Sequence, residues 1–304
     1  MKIAYCISVY TDASHLDRLL FSLHNENSVF IIHVDAKVHN ILEYLEVVKK
    51  YPNAHFCKKR FYIQWGGWSQ VRYQEQFLKE SLDFGAQRII ILTGQDYPLW
   101  SNKELNQYFV ENDKVICMCG LNLTNLPTPS RMSVLLQKPQ FGRDWHIRNY
   151  KVWRFITGLL KAVMNFIPYR RKPYVILDGM KWNIWQASGY FSVNSEQAAY
   201  ILKYLQHKKI RNYFRFCFVP EELAIPTIIF NSPFACYATV FPRNNYEGLS
   251  TLAAMHLFEY GKCIKIYQED DFDFLVQSDK MFVRKLVTGI SDTLMDRIDE
   301  RRNL

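Results

Sequence analysis

The sequence predicts an α/β protein whose centre is a parallel sheet. Three observations predict it. The run Arg88-Ile-Ile-Ile-Leu-Thr93 has no apolar–polar alternation, so both faces of that strand are buried, as in a parallel sheet. Residues 2–9, a helical stretch and residues 29–35 read as strand, helix and strand, one βαβ unit. Both apolar runs lead into acids, Asp35 in one case and Gly94-Gln-Asp-Tyr-Pro98 in the other. Pro98 cannot continue a central strand. Asp96 and Tyr97 are therefore delivered to the carboxyl edge of the sheet, where open α/β folds bind ligands.

The elements follow in order. Ser14 is a candidate cap for a helix with Leu16, Leu19, Leu20 and Leu23 on one face. No G-x-G-x-x-G separates it from the first strand, so the dinucleotide fingerprint is absent. Asp35 at its strand end either accepts ribose or base hydrogen bonds or caps its own loop. Residues 40–51 read as a helix and 54–57 as a short strand. Trp65-Gly-Gly-Trp68 is a tight turn where backbone can approach a ligand; the plainer alternative is a packed turn with tryptophan anchors. Ser69 is expected to cap a helix that stops at Gly85. Ser101-Asn-Lys-Glu104 has capping-box spacing and opens a helix with Leu105, Tyr108 and Phe109 inward.

Residues 115–119 read as a strand, and 121–149 as an irregular excursion. On a helix over 150–167, Lys151, Arg154, Lys161 and Asn165 share one narrow face, with aromatic and aliphatic bulk elsewhere and Arg170-Arg-Lys172 just beyond. That pattern fits an interfacial membrane helix. It also fits a helix buried on several sides, which is the default. Asn194 caps a helix with Ala198, Ile201, Leu202 and Leu205 inward. Pro220-Glu-Glu222 is a helix start, proline first and acids in the opening turn, and Pro226 must kink or shorten that helix. No repeat or linker interrupts the chain, so 1–304 is read as one domain.

Composition narrows the partners. A net charge of +9 favours a polyanion: nucleic acid, an anionic bilayer or a diphosphate. No run of five basic residues and no nucleic-acid motif occurs, so no nucleic-acid partner is expected. The seven cysteines are scattered, and Cys117-Met-Cys119 lacks zinc-site spacing; free, mostly buried thiols of a reducing compartment are the simplest reading. There is no signal-peptide pattern and no apolar run near the roughly 20 residues a span needs. The expectation is a cytoplasmic protein, peripheral to the inner face of the membrane if 150–172 is interfacial.

Gly-x-Ser-x-Gly, the P-loop and His-Glu-x-x-His are all absent, against hydrolase, NTPase and zinc chemistry. Asp271-Phe-Asp273 is formally an Asp-x-Asp but sits in a late acidic stretch rather than at a strand end, so it reads as a solvated face and not a metal site.

Six motifs in order carry a family resemblance: Ile32-His-Val-Asp35 with Lys37; Trp65-Gly-Gly-Trp-Ser69; Leu92-Thr-Gly-Gln-Asp-Tyr-Pro-Leu99; Ser188-Gly-Tyr-Phe191; Pro220-Glu-Glu222 before Thr227 and Asn231-Ser232; and Phe282-Val-Arg-Lys285. The set resembles the core-2/I-branching N-acetylglucosaminyltransferase and peptide O-xylosyltransferase family over nearly the whole chain. The resemblance implies a GT-A-like, Rossmann-like fold: a mixed, mainly parallel central sheet flanked by helices. It implies inverting transfer of N-acetylglucosamine or xylose from a UDP-sugar to a hydroxyl of a glycan or lipid-linked acceptor. No cofactor and no divalent metal are implied.

By motif position Glu222 is the catalytic base, in a first helical turn that favours its ionised form. Asp35, Lys37, Trp65, Arg284 and Lys285 fall on the UDP-sugar side, the basic pair standing in for a metal beside the leaving diphosphate. Asp96, Tyr97, Ser188 and Tyr190 are assigned to the acceptor or sugar pocket. Ala187-Ser-Gly-Tyr-Phe191 departs from the usual Gly-Ser-x-aromatic-Phe element, with alanine for the first glycine and glycine at the variable place. The anchor helix and disulfide-rich extensions of the animal relatives have no counterpart, so the expectation is a bacterial cytoplasmic relative that builds a surface polysaccharide. Two other functions fit the same parts: a nucleotide- or carbohydrate-binding protein without catalysis, and a metal-dependent transferase using Asp96.

Overall fold

The computed structural model describes residues 1–124, 139–147, 149–167, 171–242 and 245–303. The first half runs β1 (Ile3–Val9), α1 (Ala13–Leu23), β2 (Ser28–Val34), α2 (Leu42–Lys49), β3 (Ala54–Phe56), α3 (Ser69–Asp83), β4 (Arg88–Thr93), β5 (Asp96–Pro98), α4 (Asn102–Glu111) and β6 (Cys119–Asn122). Then come α5 (Tyr150–Phe166), β7 (Tyr174–Leu177), β8 (Met180–Asn183), β9 (Trp185–Gln186), β10 (Ser192–Asn194), α6 (Ser195–Leu205), α7 (Lys208–Phe214) and α8 (Glu221–Phe230). The chain closes with β11 (Thr239–Val240), β12 (His256–Leu257), α9 (Phe272–Val276), β13 (Phe282–Arg284) and α10 (Asp292–Arg302).

The main sheet has the order β10-β4-β1-β2-β3. β1 pairs in parallel with β2 and β4, setting Ile7 opposite Ile32 and Leu92, and β3 adds in parallel to β2. Only β10 is antiparallel. This is the mixed, mainly parallel α/β class the sequence predicts. Successive side chains alternate between faces, and both faces are covered. Tyr5, Ile7, Phe30, Ile32, Ile90 and Leu92 pack with Leu16 and Leu20 of α1 and Leu294 and Ile298 of α10. Ala4, Cys6, Ile31, Ile89 and Ile91 pack on the other side with Phe77 of α3, Ile201 of α6 and Ile225 of α8. Two covered faces leave no polar side to alternate with, which is why these strands read as continuous apolar runs.

A second, small sheet in the order β12-β13-β5 sits past the carboxyl end of β4. It pairs Arg284 with Asp96, bringing together two residues far apart in sequence.

The caps at Ser101 and Asn194 form as expected, each as a reciprocal capping box. Two others differ. The first helix is capped by Asp12, whose side chain accepts from the His15 amide at 2.9 Å, rather than by Ser14. At α3 the cap comes from Asp144, whose two carboxylate oxygens accept from the Trp68 and Ser69 amides at 3.0 and 2.9 Å. Ser69 instead ties its hydroxyl to Gln64. A side chain 75 residues downstream satisfies the helix start as well as a local one does, and local spacing cannot reveal it.

The default expectation for 150–167, burial on several sides, is overturned: no residue of α5 is buried. Of the basic run at 170–172, Arg170 lies outside the described residues, and Arg171 turns inward to donate to Cys217 Sγ at 2.8 Å. Asp271 pairs with Lys265 at 2.7 Å at the exposed start of α9, in keeping with a solvated face.

Candidate active site

A cavity of about 570 Å³ opens at the carboxyl ends of β1, β2 and β4. Ser8 and Tyr10 reach it from the end of β1, Asp35 and Lys37 from β2, and Thr93 from β4. Trp65, Tyr73, Tyr190, Glu221, Glu222 and Arg284 complete its working surface. This is the edge where the peptide geometry of an open parallel sheet leaves a crevice.

The wall bearing the acids is built by two turns that hold each other. Val219, just before Pro220, has φ +46°, a costly conformation for a β-branched residue. Its amide donates to the Gly66 carbonyl at 3.3 Å. Gly66 has φ +74°, and a Cβ there would lie 2.7 Å from the Phe218 ring. A Cβ on Gly67 would lie 2.5 Å from the Asp144 carboxylate that caps α3. Both glycines of the Trp-Gly-Gly-Trp turn are thus required by close approach.

Pro226 continues α8 rather than ending it, but it has no N–H for the Glu222 carbonyl. That carbonyl accepts from the Ala187 amide instead, at 3.0 Å. The proline therefore ties the turn carrying Glu222 to the Ala187-Ser-Gly-Tyr-Phe191 element.

Glu221 and Glu222 both face low-dielectric surroundings. Burial raises the Glu222 carboxyl to about 7, against the opposing hydrogen bond from Gln186 Nε2 at 3.3 Å. Burial and the neighbouring Glu222 push the Glu221 carboxyl well above the usual carboxylate range, and its Oε2 has no hydrogen-bond partner among the described residues. The expectation that the helix start keeps Glu222 ionised is corrected. Desolvation outweighs the helix dipole, which is worth only about 0.3–1 kcal/mol at an exposed end.

Arg284 is the fixed cation of the site. It is 9% exposed. Nη1 donates to Asp96 Oδ1 at 3.0 Å and to the Thr93 hydroxyl, and the guanidinium lies 5.4 Å from the Tyr190 ring centre. Burial works against its charge, but Tyr190 and Asp96 hold it protonated. Asp96 in turn meets the Thr93 amide at 2.7 Å and His256 Nε2 at 3.1 Å. Burial would raise the Asp96 carboxyl, yet His256, Arg284 and Thr93 together hold it at about 2.

The residues expected from sequence divide as follows. Glu222, Asp35, Lys37, Trp65, Arg284 and Tyr190 line the one cavity. Asp35 caps its loop, its Oδ1 accepting from the Lys37 amide at 2.9 Å, and the residue also borders the cavity. Lys285 follows Arg284 but is not among the lining residues. Asp96 and Tyr97 are corrected, because neither reaches the cavity and both are fully buried. Asp96 holds Arg284 from below, and the Tyr97 hydroxyl bonds Asp299 of α10 at 2.7 Å. Ser188 is corrected as well: it is 2% exposed, and its hydroxyl accepts from the Tyr190 amide at 3.3 Å in a local turn. Tyr10, Gln186, His256 and Asp144 were missed. Tyr10 alone carried a signal, its place just past a buried strand.

Comparison with known proteins agrees with the motifs. Residues 3–140 match the model of the Core-2/I-Branching enzyme family, and the resemblance read from the sequence is borne out. Xylosyltransferase 2 of Rattus norvegicus is 24% identical over 248 residues, 79% of this chain and 26% of that protein. The human beta-1,3-galactosyl-O-glycosyl-glycoprotein beta-1,6-N-acetylglucosaminyltransferase is 23% identical over 230 residues, 74% of this chain and 48% of that protein. The chain thus spans between a quarter and a half of the length of these relatives. Among solved structures, S. aureus TarS 1–349 in complex with UDP aligns at a TM-score of 0.31 and 14% identity, covering 44% of this chain and 39% of that one.

Proposed function

We propose that the protein is a UDP-sugar-dependent, inverting glycosyltransferase that works without a divalent metal, with N-acetylglucosamine or xylose as the sugar. The observation that carries the reading is one cavity faced by a burial-raised carboxylate, Glu222, and a pinned guanidinium, Arg284. The acceptor hydroxyl attacks the anomeric carbon, and its proton passes to the Glu222 carboxylate. The bond from that carbon to the diphosphate oxygen breaks, and UDP leaves with the electron pair. A base with a pKa near 7 suits this step at neutral pH. Arg284 meets the charge that grows on the diphosphate, in a buried setting where such a charge acts strongly. Asp35, Lys37 and Trp65 border the same space and fit the nucleotide half. The metal-dependent alternative through Asp96 is disfavoured, because both carboxylate oxygens of Asp96 are already engaged by protein donors.

A peripheral contact with an anionic membrane through α5 belongs to the same reading, motivated by the unburied apolar side of that helix. The test of the catalytic claim is UDP release from a panel of UDP-sugars. Turnover should survive EDTA, and Arg284→Ala should weaken UDP binding and lower turnover roughly 100- to 1,000-fold, the cost of removing one preorganised charge-stabilising group. Inhibition by EDTA with rescue by manganese would instead point to a metal site.

A further inference from the structure

On α5 the residues Val152, Phe155, Leu159, Val163 and Phe166 recur every three or four positions and form one stripe. This stripe is the outer side: Phe155 is 73% and Phe166 89% exposed. Lys151, Arg154 and Lys161 run along one edge of it, all exposed, and none is in an ion pair among the described residues. Tyr150–Phe166 contains no Asp or Glu. An exposed apolar stripe with a cationic margin matches the headgroup–acyl boundary of an anionic bilayer. A second copy of the chain would set the same cations against each other, so the charges favour the bilayer. The helix lies on the surface rather than crossing it, since no described helix is long and apolar enough to cross a membrane.

The inner side of α5 connects this surface to the cavity. Trp153 Nε1 donates to the Gly142 carbonyl at 3.1 Å. A Cβ on Gly142 would meet Thr157 and Leu160 at 3.2 and 3.3 Å, so the helix sits directly on that loop. Within two residues, Arg143 Nη1 donates to the Trp65 carbonyl at 3.3 Å and Asp144 caps α3. Trp65 borders the cavity and is 66% exposed. One short loop thus carries both α5 and the support of the cavity rim.

We infer that the acceptor hydroxyl is borne by a lipid of an anionic membrane, with α5 resting on the bilayer beside the cavity rim; this rests on the transferase reading above. The chemistry at Glu222 is unchanged, and what the bilayer supplies is the acceptor and its local concentration.

The experiment has two arms. In the first, wild type and Phe155→Glu/Leu159→Glu are sedimented with phosphatidylglycerol/phosphatidylcholine vesicles and with phosphatidylcholine vesicles. Wild type should bind the anionic vesicles about tenfold better and leave them at high salt. The double variant should stay in solution with an unchanged Tm. In the second arm, a radiolabelled UDP-sugar that releases UDP is incubated with membranes of the producing cells. Label should enter the chloroform-extractable fraction with wild type and fall about tenfold with the double variant, while UDP release to water stays equal. Wild type that ignores anionic vesicles overturns the proposal, as does label confined to protein or aqueous glycan. A dimer that the double variant abolishes, without vesicle binding, assigns the stripe to a second copy and also overturns it. Absence of UDP release from every donor removes the transferase reading and the acceptor assignment with it; vesicle binding is read separately and still decides the membrane face.

Discussion

Nine of the ten residues of α8 are buried, and none of the seventeen of α5 is. Both helices are rich in apolar side chains, so apolar content alone does not separate them. Their distribution does. In α8 the apolar residues run all the way round, which no surface helix can tolerate, and the helix is driven between β9, α6 and α3. The one side chain of α8 left partly open is Glu222, which meets the cavity. In α5 one apolar strip seats the helix on the 139–147 loop, and a second strip is exposed. The buried helix fixes a charge where it is expensive to hold. The exposed helix leaves an apolar strip facing solvent.

The sharpest break of this comparison is a pair of truncations followed by urea unfolding. Ile228→Ala in α8 should cost about 2–5 kcal/mol, the transfer loss plus the cavity left in a packed core. Leu159→Ala on α5 should change stability by no more than about 0.5 kcal/mol. Equal costs would mean that α5 is covered in solution.

A smaller effect concerns the penalty of burying Glu222. Its folded pKa, about 7, stands above the ordinary 4.5, so between those values the folded state holds the proton more tightly than the unfolded one. Stability contributed by this group is therefore present at low pH and is lost as pH rises from about 4.5 through about 7. Glu222→Gln removes the ionisation. It should raise Tm at pH values above 7 by the equivalent of roughly 1–3 kcal/mol and leave it unchanged below 4.5. A Tm difference that does not depend on pH would contradict the buried-base account.

Smaller again is Pro226→Ala. The restored N–H would compete with Ala187 for the Glu222 carbonyl, a bond worth about 1 kcal/mol. Transfer should drop several-fold, while thermal stability holds or rises because Ala suits a helix interior better than Pro. A variant with wild-type turnover would show that the Ala187 bond does not position Glu222.

Much of the fold was legible because it is written locally. The β1–α1–β2 unit, the buried β4 run and the capping boxes at Ser101 and Asn194 depend on residues a few positions apart. The site was legible where a motif ends a strand, as at Asp35, or opens a helix, as at Glu222. It was not legible where partners meet across the fold. Arg284 pairs with Asp96 across 188 residues, His256 completes that pair, and Asp144 replaces the expected Ser69 cap. Asp96 looked like a ligand contact because it follows a strand, yet the β5–β13 pairing folds over it and turns it into a support. The raised pKa of Glu222 is a property of the packing around it, and the first-turn position alone suggested the opposite. α10 was passed over, although Leu294, Met295 and Ile298 carry helical spacing.

The central claim is that Glu222, held near neutral pKa by burial, takes the acceptor proton in a sugar transfer. The most direct measurement is kcat/KM for transfer from the active UDP-sugar, as a function of pH, in wild type and in Glu222→Gln. Wild-type activity should rise with pH to a plateau, with a midpoint at about 7. Glu222→Gln should fold and bind UDP as before, with transfer lowered by roughly two to four orders of magnitude and no such rise. A Glu222→Gln protein that transfers at the wild-type rate, with the same pH profile, would contradict the account.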